Sequence, residues 1–369
     1  MGEEGRKGQT DSPARENEQS KSLLGSLAHP IPLPLLGPTP AYYLLLLALF
    51  IFYIFTKLMP VGLLAGALML FIVIYEFFLG VKEGGLKKEL LNTALAILVA
   101  LMVWFGSGFV LQTPTPINAI VSCSMRPAYE RGDLVLLAGG PVKAPVYSYA
   151  GRSTDINSTA RIKFGSSDWS ASGSWLAYCS AHLSEDVRCQ EFAGRPEAFV
   201  ETHGPLELRY GACTRQEAGS NKPVATTICV TETRFNGQVV PDDKASGPNG
   251  DLIVYSPKPG DLFSRVGDIV HRARIGINAT DGLVYLTKGD NNPVYDLQAH
   301  DYGVQAGNSP PAGSPPAAGN SPVSPAQIKG HVWLRIPFIG NLKLFITPQV
   351  LADPSSLSGC DSHFATQYR

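Results

Sequence analysis

The chain has 369 residues, with 30 Lys and Arg against 31 Asp and Glu, a formal net charge of −1 at pH 7. A balance this close to neutral excludes a strongly basic protein overall and gives no reason to expect a nucleic-acid partner. The length suits two or three domains. A mean hydropathy near zero averages two unlike parts: residues 41–111 are overwhelmingly apolar and the rest is ordinary to polar.

Residues 1–40 are polar and then Pro-rich ("HPIPLPLLGPTP"), which reads as a flexible tail. Three apolar segments follow, Ala41–Met59, Val61–Gly80 and Thr93–Leu111. Each is close to the ~20 residues that cross a ~30 Å hydrocarbon layer, so three transmembrane helices are expected within 41–111. The first two are joined only around Pro60 and read as a tight helical hairpin. Lys57 and Glu76 fall near segment ends, within reach of the headgroups. A cleaved signal peptide fits poorly, because the first apolar run starts after 40 residues and no small-residue cleavage pattern follows it.

Basic residues set the expected orientation. Arg6, Lys7, Arg15 and Lys21 precede the first span, and Lys82, Lys87 and Lys88 lie between the second and third. Only Lys57 lies between the first and second. The positive-inside rule then places the tail and the second connection in the cytoplasm, and everything after about Gln112 outside it.

The outer part begins with 112–140, which contains the strand Leu134–Leu137. Residues 141–248 are rich in Ser, Gly and Thr, with strand-like pieces such as "EAFVETH" and "ATTICVTETRF", and read as an inserted β-rich module. Sequons at Asn157 ("NST") and Asn278 ("NAT") mark loops open to glycosylation. Of six cysteines, four lie between 179 and 229, without C-x-x-C or Cys/His ligand spacing, so a metal site is not expected. Outside the cytoplasm disulfides are the better reading. Proximity in sequence favours Cys179–Cys189 and Cys213–Cys229, and leaves Cys123 and Cys360 as free thiols.

Strand signals return at "GDLIVYSP", Gly250–Pro257, and at Gly267–Asp296, which reads as two strands joined near Asn278–Gly282 by an Asp-Gly turn. Period-two alternation puts Ile269, His271, Ala273, Ile275 and Ile277 on one face and Arg272 and Arg274 on the other. The hairpin brings His271 and Arg272 roughly opposite Gly289 and Asp290, and the turn formers "DNNP" let Asp296 curl back toward His271. Gly307–Gln327 is a Pro/Ser/Gly loop without core-forming residues. Gly330–Ile346 is the last expected ordered piece, its "PFIGNLKLFI" either a core strand or a segment lying on lipid. Residues 347–369 form a featureless tail.

A serine nucleophile needs a base, and the base needs an acceptor that fixes its tautomer. Ser124, His271 and Asp296 supply those types, with the Ser124 N–H and the Ser122 hydroxyl as oxyanion donors. On residue types alone such a triad is a weak signal, and a lone strand histidine is more often structural.

The boxes "SCSMRP…GDLVLL", "GDLIVYSP", "IVHR" and "LTKGDNNPVYD", in that order, resemble type I signal peptidases, most closely the archaeal and endoplasmic-reticulum branch. The resemblance covers about a third of the chain, roughly 112–140, 249–297 and 328–346. It implies Ser124 as nucleophile, Ser122 at the oxyanion hole, His271 as base with Arg272 beside it, and Asp290 and Asp296 as the two important aspartates, Asp296 being the triad member. Asp290 is expected to pair with Arg272 across the hairpin, or else to orient His271. Lys288 would be the base of a serine/lysine dyad, but His271 already holds that place. Cys123 stands where the family usually has glycine. The module 141–248 and the loop 307–327 are additions, and a single span is commoner in the reticulum enzymes.

The expected architecture is therefore a membrane-anchored, mainly β protein. Three N-terminal transmembrane helices lead into an antiparallel β catalytic domain, 112–140 and 249–346, interrupted by 141–248. The expected function is a serine endopeptidase that removes signal peptides from exported preproteins after small residues, without cofactor or metal. Its expected partners are signal peptides, the lipid bilayer and the protein export channel. The three spans and the absence of a retention-like tail point to an archaeal cell membrane. The alternatives are a non-catalytic membrane protein whose module binds a surface partner, and a narrow-specificity peptidase for surface filament subunits.

Overall fold

The computed structural model describes residues 30–33, 37–56, 58–216, 223–241, 250–300 and 319–346. Residues 1–29 and 347–369, and with them most of the expected N-terminal tail and all of the C-terminal one, lie outside the described residues. The chain divides into two units, 1–98 and 99–369.

In the first unit, β1 (Pro30–Leu33) pairs antiparallel with β2 (Gly37–Pro40). Two apolar helices follow, Ala41–Thr56 and Met59–Gly84. Pro60 sits in the first turn of the second helix, where a missing N–H leaves no helical bond unmade. The pair packs as the expected hairpin: Tyr53, Ala65 and Ile72 are buried, and the Tyr42 and Tyr43 hydroxyls both donate to Glu76. Glu76 is thus satisfied by protein rather than by headgroups.

Gly85, at φ +80°, ends the second helix, its N–H donating to Val81 O. The helix Leu86–Val110 then runs across the division between the units, and none of its residues is buried. Pro60–Gly84 and Leu86–Val110, 25 residues each, are long and apolar enough to cross a membrane. At 1.5 Å per residue each reaches ~37 Å, whereas the 16-residue helix Ala41–Thr56 reaches ~24 Å, short of a ~30 Å layer.

The second unit is built on a seven-stranded sheet in the order β14-β13-β12-β15-β4-β3, with β5 alongside β13. Its strands are β3 (Ile117–Ala119), β4 (Leu134–Ala138), β5 (Val146–Ser148), β12 (Leu252–Tyr255), β13 (Ile269–Ala279), β14 (Gly282–Lys288) and β15 (Ile328–Ile336). All pairings are antiparallel except that of β5 with β13. The two separated pieces of chain thus close into one sheet. The β13–β14 hairpin turns at Thr280–Asp281, with Ala279 opposite Gly282. Arg272 stands opposite Lys288, two residues from the expected Asp290. A register shift between Ala273 and Ile275 lies between this pair and the turn.

After β15 the chain does not continue as a strand. Residues 337–340 form a turn, and Gly340 packs so closely there that a Cβ would meet Asp133 O at 2.5 Å. "NLKLFI" then forms a helix, Asn341–Ile346.

Residues 159–239 form a separate six-stranded sheet, in the order β11-β10-β9-β8-β6-β7. The strands are β6 (Thr159–Phe164), β7 (Ser167–Ser172), β8 (Phe199–His203), β9 (Leu206–Gln216), β10 (Pro223–Phe235) and β11 (Gln238–Val239). Two helices that the strand-only reading missed, Trp175–His182 and Val187–Gly194, are capped by the Ser174 and Asp186 side chains. Cys179–Cys189 and Cys213–Cys229 are disulfides, the pairing expected. Cys123 is disulfide-bonded as well, which corrects the expectation of a free thiol; Cys360 lies outside the described residues.

The module is less detached than its sequence suggests. Val146–Ser148 pairs with Gly276–Asn278 and belongs to the first sheet. Ile156, Leu206, Leu208 and Phe235 share one apolar cluster with Ile275, Ile277, Tyr295 and Leu297. The Pro-rich loop is also corrected in part. Residues 301–318 lie outside the described residues, but Val323 is buried and pairs with Tyr285.

Candidate active site

Ser124 lies in the loop between β3 and β4, in a stretch without regular structure. The loop is closed at its base, where Ile120 N donates to Asp133 O and Gly132 N to Ile120 O. Gly132 has φ +93°, and a Cβ there would strike the Asn341 side chain. Asp133 is fully buried, accepts from Glu130 N and pairs with Arg335, which fixes the turn at the foot of the loop. Met125, also fully buried, plugs the loop into the core beside Ser124.

Asn291 N donates to Ser124 O (2.7 Å) and Asn291 Nδ2 to Cys123 O (3.3 Å). Gly289 lies against the same carbonyl. The segment after β14 therefore grips the serine loop with backbone and amide groups that the residue types in "KGDNN" make available.

His271 enters from β13, where it stands opposite Ile253 of β12. Its Nε2 is 2.9 Å from Ser124 Oγ and its Nδ1 is 2.7 Å from Asp296 Oδ2. The three side chains form one line, and all are buried: Ser124 is 2%, His271 4% and Asp296 5% exposed. With a carboxylate at Nδ1, that nitrogen carries the proton and Nε2 presents its lone pair to the serine hydroxyl. Ser122 Oγ is 3.1 Å from Ser124 Oγ.

Asp296 opens a single helical turn, Asp296–Gln298. Its Oδ2 also accepts from Tyr255 OH (3.0 Å) and Thr287 Oγ1 (2.6 Å). Burial, followed by the charge of Asp296, pushes the Tyr255 hydroxyl well above its ordinary pKa, so it stays a donor. Asn320 Nδ2 holds the Asp296 carbonyl at 2.7 Å. Sequence reasoning missed Tyr255, Thr287, Asn291 and Asn320. Tyr255 and Thr287 lie inside the quoted boxes, on the two strands that flank β13, and only the register reveals that both aim at Asp296.

Asp290 and Arg272 lie apart from this line. Arg272 Nε and Nη2 donate to the two Asp290 oxygens at 2.9 and 2.7 Å, and Arg274 Nη2 adds a contact at 3.1 Å. Arg272 Nη1 donates to Gly250 O. Burial opposes the Arg272 charge, but the hydrogen bonds and charge of Asp290 outweigh it and raise its pKa. Asp290 is occupied by two guanidinium groups rather than by His271. Lys288 Nζ reaches Gly289 O at 3.4 Å, while the Ser124 hydroxyl is taken by His271. Among the described residues no cluster of His, Cys, Asp and Glu is arranged to hold a metal ion.

The geometry is that of a serine–histidine–aspartate site on an antiparallel β scaffold, with each hydrogen bond in the order that nucleophilic acyl transfer requires. Similarity to known proteins points the same way. The chain is 34% identical over 87 residues to the signal peptidase complex catalytic subunit SEC11 of Metarhizium robertsii, covering 22% of this chain and 51% of that protein. It is 34% identical over 84 residues to the subunit of Neurospora crassa, 21% and 49% of the two chains. It is 44% identical over 52 residues to that of Pyrenophora tritici-repentis, 14% and 30%. The chain spans about half the length of the curated relatives it matches. No family model matches the chain. No solved structure matches it either. These relatives are fungal, so the expectation of an archaeal membrane finds no support.

Proposed function

We propose that the chain is a membrane-bound signal peptidase, a serine endopeptidase that cuts signal peptides from preproteins. The observation that carries this reading is the continuous line Ser124 Oγ–His271–Asp296, set in a chain similar to signal peptidase catalytic subunits.

In the proposed reaction His271 Nε2 takes the Ser124 proton as Oγ attacks the scissile carbonyl. Asp296 stabilises the imidazolium that forms. The Ser124 N–H and the Ser122 hydroxyl donate to the developing oxyanion. His271 then returns its proton to the leaving amine, and the signal peptide remains as an ester on Ser124. Water, deprotonated by His271, attacks this ester and restores the serine hydroxyl.

The remaining features fit a membrane enzyme of the endoplasmic reticulum. The helices Pro60–Gly84 and Leu86–Val110 cross the bilayer, and the shorter apolar helix Ala41–Thr56 packs against the first of them within it. The basic residues place the Asn157 and Cys179 side of the chain in the lumen, where disulfides persist. Twelve residues separate Leu111 from Ser124, which suits a substrate cut close to the membrane surface. Small side chains at Ser122 and Ser124 leave room for an extended substrate beside the sheet, with small residues before the cut. The export channel is the expected neighbour.

A mechanism-based serine acylator tests the reading. Labelling of Ser124 in the wild type, lost in His271→Ala with the serine intact, is the expected result. Equal labelling of both would sink it, because a serine without its base is a poor nucleophile.

A further inference from the structure

The turn that delivers Asp296 is held from behind by the inserted module. Val230 N of β10 donates to Pro293 O at 2.9 Å, and Thr233 Oγ1 lies 3.1 Å from Tyr295 OH. Ser174 N donates to Gln298 O at 2.8 Å. Leu297 packs into the cluster that the module shares with β13.

Gln298, two residues from Asp296 and fully buried, joins the two sides. Its Oε1 accepts from Tyr295 N (2.8 Å), which ties the side chain across the turn that Asp296 opens. Its Nε2 donates to Glu201 Oε1 (2.5 Å) and to Tyr210 OH (3.1 Å).

Glu201, on β8, is also fully buried. Its second oxygen accepts from Trp175 N and Tyr210 OH, both at 2.7 Å, and its first also meets His203 Nε2 at 2.7 Å. His203 Nδ1 in turn faces Asn157 O at 2.8 Å. Burial and the Glu201 charge raise the Tyr210 pKa well above its ordinary value, so its hydroxyl stays a donor.

A buried carboxylate carries a large desolvation cost, and an apolar side chain would fill the same space without it. An apolar side chain would, however, leave Gln298 Nε2 without its carboxylate and free the turn to shift. Positions in an active site matter at that scale: a displacement of about 1 Å can cost on the order of 100-fold in rate.

We propose that Glu201 is a positioning residue for Asp296, acting through Gln298, and that the module is a working part of the active site rather than an appended binding domain. The inference rests on the peptidase reading for its consequence in rate, but not for its geometry.

The test uses the full chain in detergent, with two readouts. The first is the downfield proton resonance of His271 Nδ1–H, identified by its loss in Asp296→Ala. The second is kcat on a model preprotein, expressed per folded molecule. Glu201→Leu and Gln298→Met are expected to shift or broaden the resonance and to lower kcat 10- to 100-fold, with KM changed less than threefold. Glu201→Gln keeps the side-chain shape and serves if the leucine variant does not fold. Leu183→Ala trims a half-buried side chain packed against the module core just past the helix Trp175–His182, and should leave the resonance and kcat per folded molecule in place.

An unmoved resonance in the Glu201 and Gln298 variants would overturn the proposal, as would an equal change in Leu183→Ala. A wild type without the resonance would also overturn it, since there would be no held pair to position. If the resonance responds as expected but wild type cuts no preprotein, the positioning stands and the peptidase reading fails.

Discussion

Gly289 lies against the carbonyl oxygen of Ser124, so closely that a Cβ at 289 would stand 2.7 Å from it. The contact involves backbone, which cannot swing aside as a flexible side chain would. Gly289→Ala must therefore push the serine loop away from the "KGDNN" segment. We expect an intact fold with kcat reduced on the order of 10–100-fold, by the sensitivity of reacting groups to ångström displacements. Circular dichroism alongside cleavage kinetics checks this. Unchanged kcat would mean that the loop accommodates the methyl group and that the contact is not critical.

Asp290 and Asp296 separate into two roles that point mutants distinguish. Asp290 is bound by Arg272 and Arg274, and its Arg272 pair is largely buried, at 8% and 13% side-chain exposure. Breaking a buried pair by removing one partner costs about 3–5 kcal/mol. Asp290→Ala should lower the melting temperature while the surviving folded fraction keeps most of its kcat. Asp296→Ala should do the reverse, with a loss of about 10⁴ in kcat by analogy with other triads. A kcat loss in Asp290→Ala as large as in Asp296→Ala would return Asp290 to the catalytic group.

Thr287 donates to the same Asp296 oxygen as His271 does. A hydrogen bond to a charged group contributes about 1.5–3 kcal/mol. Thr287→Val removes it at nearly constant volume, and kcat should fall roughly 10- to 100-fold if that energy is fully expressed in holding Asp296. A rate within twofold of wild type would show that Tyr255 alone suffices.

The raised pKa of Tyr255 sets a direction for alkaline stability. Its folded pKa lies above the unfolded value, so the stabilisation is complete below the unfolded pKa of about 10 and is lost as pH rises from there toward the folded value. Melting temperature should therefore drop above pH 10. Tyr255→Phe should be less stable at neutral pH, through its lost hydrogen bond, yet show a shallower alkaline decline. An equally steep decline in the phenylalanine variant would assign the effect to other tyrosines, such as Tyr210.

Asn157 and Asn278 are exposed, and both lie on the side assigned to the lumen. In microsomes the chain should carry glycans at one or both, seen as an endoglycosidase-sensitive mobility shift that Asn157→Gln and Asn278→Gln remove. A shift absent from the wild type, together with protease access from the cytoplasmic side, would reverse the orientation.

Much of the site was legible because its parts sit in short, ordered boxes. His271 and Asp296 are 25 residues apart across one hairpin, and the "DG" turn and period-two alternation locate both. The hairpin register was the weaker step: a bulge within β13 is invisible to alternation, and it sets Arg272 opposite Lys288 where an unbroken ladder from the Ala279–Gly282 pair would set it opposite Gly289. Glu201 and Gln298 were not legible. They are 97 residues apart, Glu201 on a strand of the module and Gln298 in the helical turn that Asp296 opens, and no local pattern distinguishes a buried glutamate from a solvated one. Asn320 was lost for a related reason, since low complexity before it suggested a structureless loop, whereas its amide bonds Phe263 N and Asp296 O. The two module helices escaped because their eight residues each are too few for a helical period to stand out.

The most direct measurement is cleavage of a preprotein with an Ala-x-Ala site in membranes carrying wild type or Ser124→Ala. The account predicts mature product with the wild type and none with Ser124→Ala, the loss being on the order of 10⁶ in kcat. Equal product from both would contradict it, because Ser124 would then not be the nucleophile.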